Sequence, residues 1–578
     1  MKLRAFYIFI CITGSLAVHA EKIRVTSTAN AGAGSLREAI QTANATPAPD
    51  TILFRNVKHI VLTEALPAIA GSLVIDGEAG GVTIEAGTAG APGIKRSMFS
   101  IARPEYGTPE YSVTFANLTL SGGNGNEGGA IRDERTNVAD TLIVDHCTFS
   151  NNRATKGGAI WGRAATGIRH STFTRNRADG ESESNEGGAI YTHNRIVIDH
   201  CLFSENESKG SGGAIHFDVL DTNFGGYTDA VRNTDFVNNK AIGRGGAINT
   251  THGQHATLHI ENCKFWDNEV GMDSANGNYA SGGAISSATT GFRVYNSLFA
   301  NNKAIQGGAI SAGSVKLVNS TFYGNKAEEG GGVYSGIYAH CEAIHCSFTA
   351  NEAARSGGGI YGGRVTLINS ILTGNKGRDA FDVFSTGFTL SMLYSIYHDV
   401  QSDFIRNYHS TVSTVEEVFG NPNPSPDDNL HVLKVKSGGP ADRTGVLAGI
   451  LSDVYYKEEG KWFLPNGNEE TNPAYLENIT PVVTDQLNQP RREGSITIGA
   501  WQLSGGSATL PVLKNEMKVT TTSNFIHIAT AIPQTVDIYT PTGKLYAQVH
   551  VMGQKSVFAP SGFYIVTAAS HSQKIVVR

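Results

Sequence analysis

One short motif recurs through the middle of the chain and restricts its fold more than any other feature. The motif is Gly-Gly-Ala-Ile or a close variant, and successive copies are 24 to 37 residues apart. A second motif, Phe-x-x-Asn, lies between successive copies from Phe149 to Phe348. The first glycines of the nine copies are Gly128, Gly157, Gly187, Gly212, Gly245, Gly282, Gly307, Gly331 and Gly358. Self-similarity at such a period is typical of a solenoid, in which each repeat forms one coil.

The residues that precede each phenylalanine form columns of constant character. The residue two positions before it is small, the residue three before it is His or Asn, and the residue five before it is apolar. Strand alternation places all the apolar columns inside only if the chain turns a corner at the His/Asn position. His and Asn tolerate the left-handed backbone of such a corner. The columns therefore predict an all-β fold, a right-handed parallel β-helix, and the variable period argues against a left-handed hexapeptide helix.

The cysteines follow the same columns. Four of them share the small column and never lie on neighbouring coils, so any two are at least ~9.6 Å apart, beyond the ~7 Å Cα limit for a disulfide. We therefore expect five buried free thiols after Cys11: Cys147, Cys201, Cys263, Cys341 and Cys346.

Three histidines on successive coils offer a zinc site as an alternative interpretation: His146, His170 and His200. Asn replaces His elsewhere in this column, which favours a ladder of corner residues over a metal site. We expect no metal and no cofactor.

Composition and the N-terminus indicate an exported protein. Glycine accounts for 67 of 578 residues and charged residues for 17%, against about 7% and about 25% in average proteins. The net charge of −6 offers no basic surface for nucleic acid. Residues 1–20 resemble a secretory signal peptide, with Lys2 and Arg4 before an apolar run. No later stretch approaches the ~20 apolar residues that a bilayer span needs, so we expect no membrane span after cleavage.

A short helix is predicted at the start of the mature chain. Ser35 and Glu38 have the spacing of a capping box, and Leu36, Ala39, Ile40 and Ala43 follow at helical spacing. Because the open end of a parallel β-helix must be covered, we expect this helix to cover the first coil.

The N-terminal segment 34–40 (GSLREAI) resembles the start of exported bacterial β-helix proteins of the choice-of-anchor Q type. Segments 437–445 and 484–501 are similar to the closing segments of those proteins. The paired Gly-Gly-Ala-Ile and Phe-x-x-Asn motifs are also similar to the repeats of chlamydial polymorphic outer-membrane proteins, which are adhesins. These resemblances imply the β-helix fold and a location at the cell surface.

The last residues change character, with alternating strands in place of glycine pairs. Segments 537–539, 542–544, 560–564 and 574–578 resemble the C-terminal sorting domain of type IX secretion cargo. That resemblance implies a small β-sandwich that is recognised by the type IX secretion machinery in the outer membrane of a Gram-negative bacterium. An ordinary Ig-like accessory domain is the alternative.

These features divide the chain into four parts. We predict a signal peptide at 1–20 and a capped β-helix at 21–400. Further coils and the closing segment follow at 401–506, and the sorting domain at 507–578.

Candidate binding residues come from the strand that follows each glycine pair, where the first and third residues after the Ile should face solvent. Aromatic side chains at ~4.8 Å steps, flanked by charges, suit stacking and hydrogen bonding along a glycan or a surface receptor. The column then fades to Asn249, Ser286 and Ser311. The candidates on four successive coils are Arg132 and Glu134, Trp161 and Arg163, Tyr191 and His193, and His216 and Asp218.

Catalysis has less support in the sequence. Glu134 and Asp218, three coils apart, would be roughly 14 Å from each other, whereas a glycosidase needs carboxylates about 5 to 9.5 Å apart. His193 beside Asp218 could form an acid/base pair. An acidic cluster suited to calcium, more simply interpreted as a solvated loop, comprises Asp179, Glu181, Glu183 and Glu186.

The sequence therefore predicts an exported β-helix protein, secreted or at the outer-membrane surface, that acts in adhesion or glycan binding. A polysaccharide lyase or glycoside hydrolase on the same scaffold is the first alternative. A structural surface-layer component is the second.

Overall fold

The computed structural model describes residues 20–419 except 47, 88–95, 104–108, 137–138, 181–183, 219–227, 252–256, 272–279 and 289–291. Beyond residue 419 it describes short segments, chiefly the strands given below. The predicted signal peptide and most of the closing segments lie outside these residues. The chain comprises two compact units, Met1–Leu503 and Ser504–Arg578.

The first unit is a parallel β-helix, which confirms the predicted fold. Each regular coil contains four strands, here called a, b, c and d in chain order. Strands a, b and c pair in parallel with the matching strand of the next coil, for example Ile160–Gly162 with Ile190–Thr192. Strands a and b contribute to one broad sheet, and strands c form a second sheet of 14 strands.

The first a strand is Phe99–Ile101, and the others follow the repeated glycine motifs: Ile131–Asp133, Ile160–Gly162, Ile190–Thr192, Ile215–Phe217, Ile248–Thr250, Ile285–Ser287, Ile310–Ala312, Val333–Ser335 and Ile360–Gly362. The b strands are Lys22–Val25, Asp50–Phe54, Leu73–Asp76, Ser112–Ala116, Thr141–Asp145, Ala165–Arg169, Ile196–Asp199, Thr228–Arg232, Thr257–Glu261, Phe292–Tyr295, Val315–Val318, His340–Ile344 and Arg364–Ile368. On the last two coils a and b merge into Val383–Leu393 and Val400–Tyr408.

The c strands from Thr148–Ser150 to Ser347–Thr349 carry the phenylalanines of the repeat. The full set is His59–Leu62, Val82–Ala86, Leu118–Ser121, Thr148–Ser150, Thr172–Thr174, Leu202–Ser204, Asp235–Val237, Lys264–Trp266, Leu298–Ala300, Thr321–Tyr323, Ser347–Thr349, Ile371–Leu372, Ile396–Tyr397 and Thr411–Val412. The d strands are Arg153–Ala154, Arg177–Ala178, Glu207–Ser208, Lys240–Ala241, Glu269–Val270, Lys326–Glu329 and Glu352–Ser356.

Two ladders fill the core where the sequence predicts it. The phenylalanine rings from Phe149 to Phe348 stack face to face, with centroids 4.5 to 5.0 Å apart. The asparagines of Phe-x-x-Asn, from Asn152 to Asn375, form a buried ladder three residues further along. Each Nδ2 before Asn375 donates to Oδ1 of the asparagine on the next coil, as Asn239 does to Asn268 at 2.9 Å. The asparagines thus satisfy the backbone groups that the corner leaves inside.

The backbone turns where the columns predict. The His/Asn position between strands b and c has a left-handed φ of 47 to 53° on all nine coils from His146 to Asn369. The first glycine of each pair is also left-handed. The second glycine is needed for a different reason: a Cβ on Gly188 would lie 2.0 Å from the carbonyl oxygen of Gly213 on the next coil.

The predicted first glycine of the motif is wrong by one residue in two of the nine copies. Gly330 and Gly357 are the left-handed residues, rather than Gly331 and Gly358. In these two copies a third glycine takes the place of the motif's alanine, so that the motif is Gly-Gly-Gly followed by Val333 or Ile360. Because the three consecutive glycines are identical, the sequence does not show which of them is the first glycine of the motif.

All five cysteines expected inside are buried free thiols, which confirms that prediction. Burial raises the pKa of the Cys147 and Cys201 thiols to about 12. The thiols are therefore protonated and unreactive as nucleophiles at neutral pH.

The predicted N-terminal helix spans Leu36–Asn44 and contacts the first two b strands. Ser35 caps it, since its Oγ accepts a hydrogen bond from the Glu38 backbone N–H at 3.2 Å. Glu38 in turn accepts from the Gly34 N–H at 2.6 Å. Its buried residues are the four that helical spacing predicts: Leu36, Ala39, Ile40 and Ala43.

Region 401–506 differs from the regular coils. The helix Val415–Val418 follows the last c strand. A four-stranded antiparallel sheet then comprises Leu447–Ile450, Val454–Glu458, Lys461–Phe463 and Thr480–Pro481. None of the described helices has the length and apolarity to cross a membrane.

The second unit is an antiparallel β domain with a bulge in its longest strand. Its strands are Lys518–Thr522, Phe525–Tyr539, Leu545–Phe558, Gly562–Ala568 and His571–Val577.

Candidate functional site

The first members of the four candidate pairs lie in register on four successive a strands, and the second members directly follow the ends of these strands. Arg132 pairs with Trp161, Trp161 with Tyr191, and Tyr191 with His216 on the next coil. The second member of each candidate pair lies two residues further along. Glu134 and Asp218 are therefore three coils apart, which agrees with the distance argument against a glycosidase pair.

The expectation that the aromatic rings face solvent is wrong. Trp161 is 4% exposed, and Tyr191 and His216 are each 1% exposed. Charged side chains cover them: the guanidinium groups of Arg132 and Arg163 lie 5.6 and 5.5 Å from the Trp161 ring centroid. The ring faces are therefore already occupied and cannot stack on a sugar.

Tyr191 is covered on both sides. The Lys156 ammonium lies 4.7 Å from its ring centroid, and the His216 ring stacks on it at 5.2 Å with an interplanar angle of 9°. The ring of His193 meets its edge at 4.8 Å. The buried rings of Trp161 and Tyr191 therefore lie beneath charged side chains and do not form an open aromatic groove.

We use the name polar cluster for the following eight residues around these rings: Lys156, Trp161, Arg163, Glu186, Tyr191, His193, His216 and Asp218. Its centre is the Asp218 carboxylate, which accepts from the Tyr191 hydroxyl at 2.7 Å and from Thr251 Oγ1 at 3.0 Å. Lys156 pairs with Glu186 at 2.8 Å. Most of the exposed surface of the cluster is thus polar or charged.

Arg132 and Glu134 form a separate pair at the edge of this column. Arg132 contacts Glu134 and also Glu127, whose Oε2 lies 3.0 Å from the Arg132 Nε. Its charge is therefore compensated on its own coil.

The protonation states of the cluster follow from burial and charge. Burial lowers the pKa of His216 to about 4 and also lowers the pKa of His193. Burial raises the pKa of Asp218, but hydrogen bonds from Tyr191 and Thr251 and the neighbouring histidines outweigh it, so the net pKa is lowered. Burial and the contact with Asp218 raise the pKa of Tyr191. At neutral pH the cluster therefore presents a carboxylate, two neutral imidazoles and a protonated phenol.

Two buried polar atoms of the cluster have no hydrogen-bond partner among the described residues: Trp161 Nε1 and His193 Nδ1. The two rings meet edge to face with centroids 5.9 Å apart. The nearest carboxylate atom to His193 Nδ1 is Asp218 Oδ2, at 3.6 Å, which is beyond hydrogen-bond distance. Because a buried polar atom without a partner costs free energy, such atoms commonly mark a place where a ligand or water binds.

The predicted calcium cluster is only partly within the described residues, because Glu181 and Glu183 lie outside them. Asp179 pairs with Arg153, and Glu186 pairs with Lys156. Each described carboxylate therefore has a cationic partner.

The repeats that carry the cluster are similar to a known repeat family. Residues 146–163, 170–193 and 200–218 match the Chlamydia polymorphic membrane protein repeat. The chain matches no curated protein. The matched repeats and the β-helix fold together indicate a surface-exposed protein.

A second aromatic ladder was not predicted from the sequence. Tyr334, Tyr361 and Phe384 occupy the same column on later coils, and their rings stack with centroids 5.1 and 5.5 Å apart. The column thus resumes after Ser311 rather than ending there. The signal was present, since a tyrosine directly follows the Val or Ile of both Gly-Gly-Gly copies.

Lys156 and Glu186 were also not predicted as neighbours of the aromatic column. Each directly precedes a glycine pair, and the two residues form a bridge between adjacent coils. Their position before the corner brings them beside the a strand that follows it. Extending the column comparison to the residue before each glycine pair would have found them.

Proposed function

We propose that this protein is an exported cell-surface protein that binds glycans through the polar cluster and thereby acts in adhesion. The observation that carries the proposal is the unpartnered indole N–H of Trp161, a residue 4% exposed, beneath a rim of ionised groups. The indole N–H is itself buried, so a glycan hydroxyl or ring oxygen accepts from it only when the covering side chains of the rim move aside. The rim then supplies further partners: a carboxylate from Asp218 or Glu186 and a cation from Arg163.

Glycan hydroxyls suit a rim of mixed charge because each hydroxyl both donates and accepts hydrogen bonds. Carboxylates accept from them, and arginine or lysine donates to them. Since the ring faces are covered, recognition would depend on hydrogen bonds and not on stacking. We therefore expect selectivity for the pattern of hydroxyl or acidic groups along the glycan.

A glycan array with the mature chain, residues 21–578, tests this proposal. Trp161→Phe keeps an aromatic ring but removes the indole N–H together with the five-membered ring that carries it, and Arg163→Ala removes one cation of the rim. We expect each variant to weaken binding of the best glycan at least fivefold. Arg177→Ala is the matched control, because Arg177 is exposed on strand d and pairs with Glu207. Equal binding by all four proteins would refute the proposal.

A polysaccharide lyase or hydrolase is the second candidate, favoured by the 3.6 Å separation of His193 Nδ1 and Asp218 Oδ2. Against it, a glycosidase acid needs a raised pKa, whereas that of Asp218 is lowered. Incubation with a polysaccharide panel, followed by assays for reducing ends and unsaturated products, separates the two. Product release that Asp218→Asn abolishes would favour the enzyme.

The route to the surface is the third part of the proposal. We infer export through the type IX machinery, with residues 507–578 as the sorting domain. Deletion of 507–578 should leave the β-helix in the periplasm. Whole-cell adherence with and without the protein then separates adhesion from a purely structural role in the surface layer.

A further inference from the structure

A second cluster of polar side chains lies at the corner between strands b and c, on the coils of Asp145 and Arg169. His146 and His170 occupy the corner position with φ of 51° and 48°. Their rings are on adjacent coils and stack with centroids 4.5 Å apart. Parallel pairing of the flanking strands on both sides fixes the separation of the two corners.

Both imidazoles point a nitrogen at the same carboxylate oxygen. Asp145 Oδ1 lies 2.8 Å from His146 Nδ1 and 3.4 Å from His170 Nδ1. One ligand atom from each of the three residues lies within 4.8 Å of the others. Ligands bound tetrahedrally to one zinc ion at about 2.0 to 2.2 Å are roughly 3.3 to 3.6 Å apart, so small side-chain rotations suffice to bring the three into coordination.

The remainder of the column does not share this arrangement. His200 pairs with Asp199 of its own coil at 2.9 Å, and the corner asparagines bond from coil to coil, as Asn262 Nδ2 does to Asn233 Oδ1. Arg169 stands where the coils of His146 and His200 have an aspartate. His170 is thereby directed to the carboxylate of the preceding coil, Asp145.

Arg169 determines which carboxylate oxygen is available. Its Nη2 lies 3.0 Å from Asp145 Oδ2 and so holds the oxygen that does not face the imidazoles. Such hydrogen bonds to a ligating carboxylate orient it for a metal ion. The two histidine side chains are 57% and 45% exposed, which leaves room for water as the remaining ligand.

We propose that Asp145, His146 and His170 bind one divalent transition-metal ion. Imidazole nitrogen and carboxylate oxygen together are the ligand chemistry of zinc and its neighbours, and not of calcium or magnesium. The ligand set differs from the three-histidine alternative considered above, because His200 is directed to Asp199. The proposal is independent of glycan binding, which involves strand a and a different set of residues.

Isothermal titration of the untagged mature chain with zinc chloride tests the proposal. The column provides its own replacement: His146→Asn and His170→Asn introduce the residue that occupies the same left-handed corner on other coils, so both variants should fold. We expect one zinc ion per chain with micromolar affinity. Each of these variants, and Asp145→Asn, should weaken binding at least tenfold.

His200→Asn is the matched control and should retain the wild-type affinity within twofold. Circular dichroism and thermal melting of all variants check that the coils are intact. The absence of any binding with zinc up to 1 mM would overturn the proposal. So would unchanged affinity in the double variant of His146 and His170, or a loss in His200→Asn as large as in His146→Asn.

Discussion

Replacing Asn268 by alanine should destabilise the β-helix strongly, because this side chain makes four buried hydrogen bonds. Its Nδ2 donates to the Phe236 carbonyl at 2.9 Å and to Asn302 Oδ1 at 3.0 Å. Its Oδ1 accepts from the backbone N–H and from Nδ2 of Asn239, at 3.0 and 2.9 Å. Asn268 itself is fully buried, so water does not reach these groups.

The expected cost follows from the groups that lose their partner. Alanine leaves two of them unpaired, the Asn239 N–H and one hydrogen of the Asn239 Nδ2, whereas the Phe236 carbonyl keeps its strand partner on the next coil. Asn302 Oδ1 retains the backbone N–H of residue 268 as a donor. Each buried unpaired polar group costs about 1 to 3 kcal/mol, so we expect a loss of about 2 to 6 kcal/mol in the free energy of unfolding.

Equilibrium urea denaturation followed by circular dichroism measures this loss. Asn238→Gly is the matched control, since Asn238 is an exposed asparagine with a left-handed φ of 55° that glycine adopts without strain. The control should change the free energy of unfolding by less than about 0.5 kcal/mol. A loss below about 1 kcal/mol in Asn268→Ala would refute the reasoning, because it would mean that water or a shifted backbone satisfies the two groups.

Three further predictions concern the corners, the thiols and the end of the ladder. Gly188→Ala should prevent folding or cost more than about 3 kcal/mol, because its Cβ would overlap the Gly213 carbonyl; Gly313→Ala, with open space around it, should be neutral within about 0.5 kcal/mol in the same urea assay. The five buried thiols should react with a thiol reagent only after denaturation. Asp382 should make the protein less stable as pH rises from about 4 to about 7, since burial raises its folded pKa to about 7 and its unfolded pKa is about 3.9. Asp382→Asn should flatten that part of a stability–pH profile.

Each of these predictions has a result that would contradict it. Normal folding of Gly188→Ala would show that the coils can separate locally. Rapid reaction of the native thiols would mean that the small column opens to solvent. An unchanged pH profile in Asp382→Asn would assign the pH dependence to other groups and leave Asp382 as a hydrogen-bond acceptor for Asn375, His398 and Asp399.

The fold could be predicted because its determinants repeat. Phe149 and Asn152 recur at the same relative positions on later coils, and parallel pairing in register stacks like on like. An error at one position, as at Gly331, shifts a single motif and leaves the columns intact. The corner role of His146 could be predicted for the same reason, because few residue types tolerate a left-handed φ.

The candidate site was predicted less well. Its residues lie in one column and in register, but Trp161 and Tyr191 are covered rather than open. Strand alternation predicts which side of a sheet a residue faces, but it does not predict which other side chains cover that side. Lys156 covers Tyr191 from beyond a corner, where alternation along the strand no longer applies.

The sequence by itself determined the coil, its corners and its interior. In the core of a solenoid, equivalent positions of successive repeats contact each other, so the repeat pattern in the sequence is sufficient to predict those contacts. Only the tertiary structure decided how the outer side chains meet. Whether Arg163 lies over Trp161, or His170 is directed to Asp145 on the preceding coil, depends on side-chain length and on the ~4.8 Å separation of coils that carry different residues. The core is therefore set by the repeat, and the two candidate binding sites are set by departures from it.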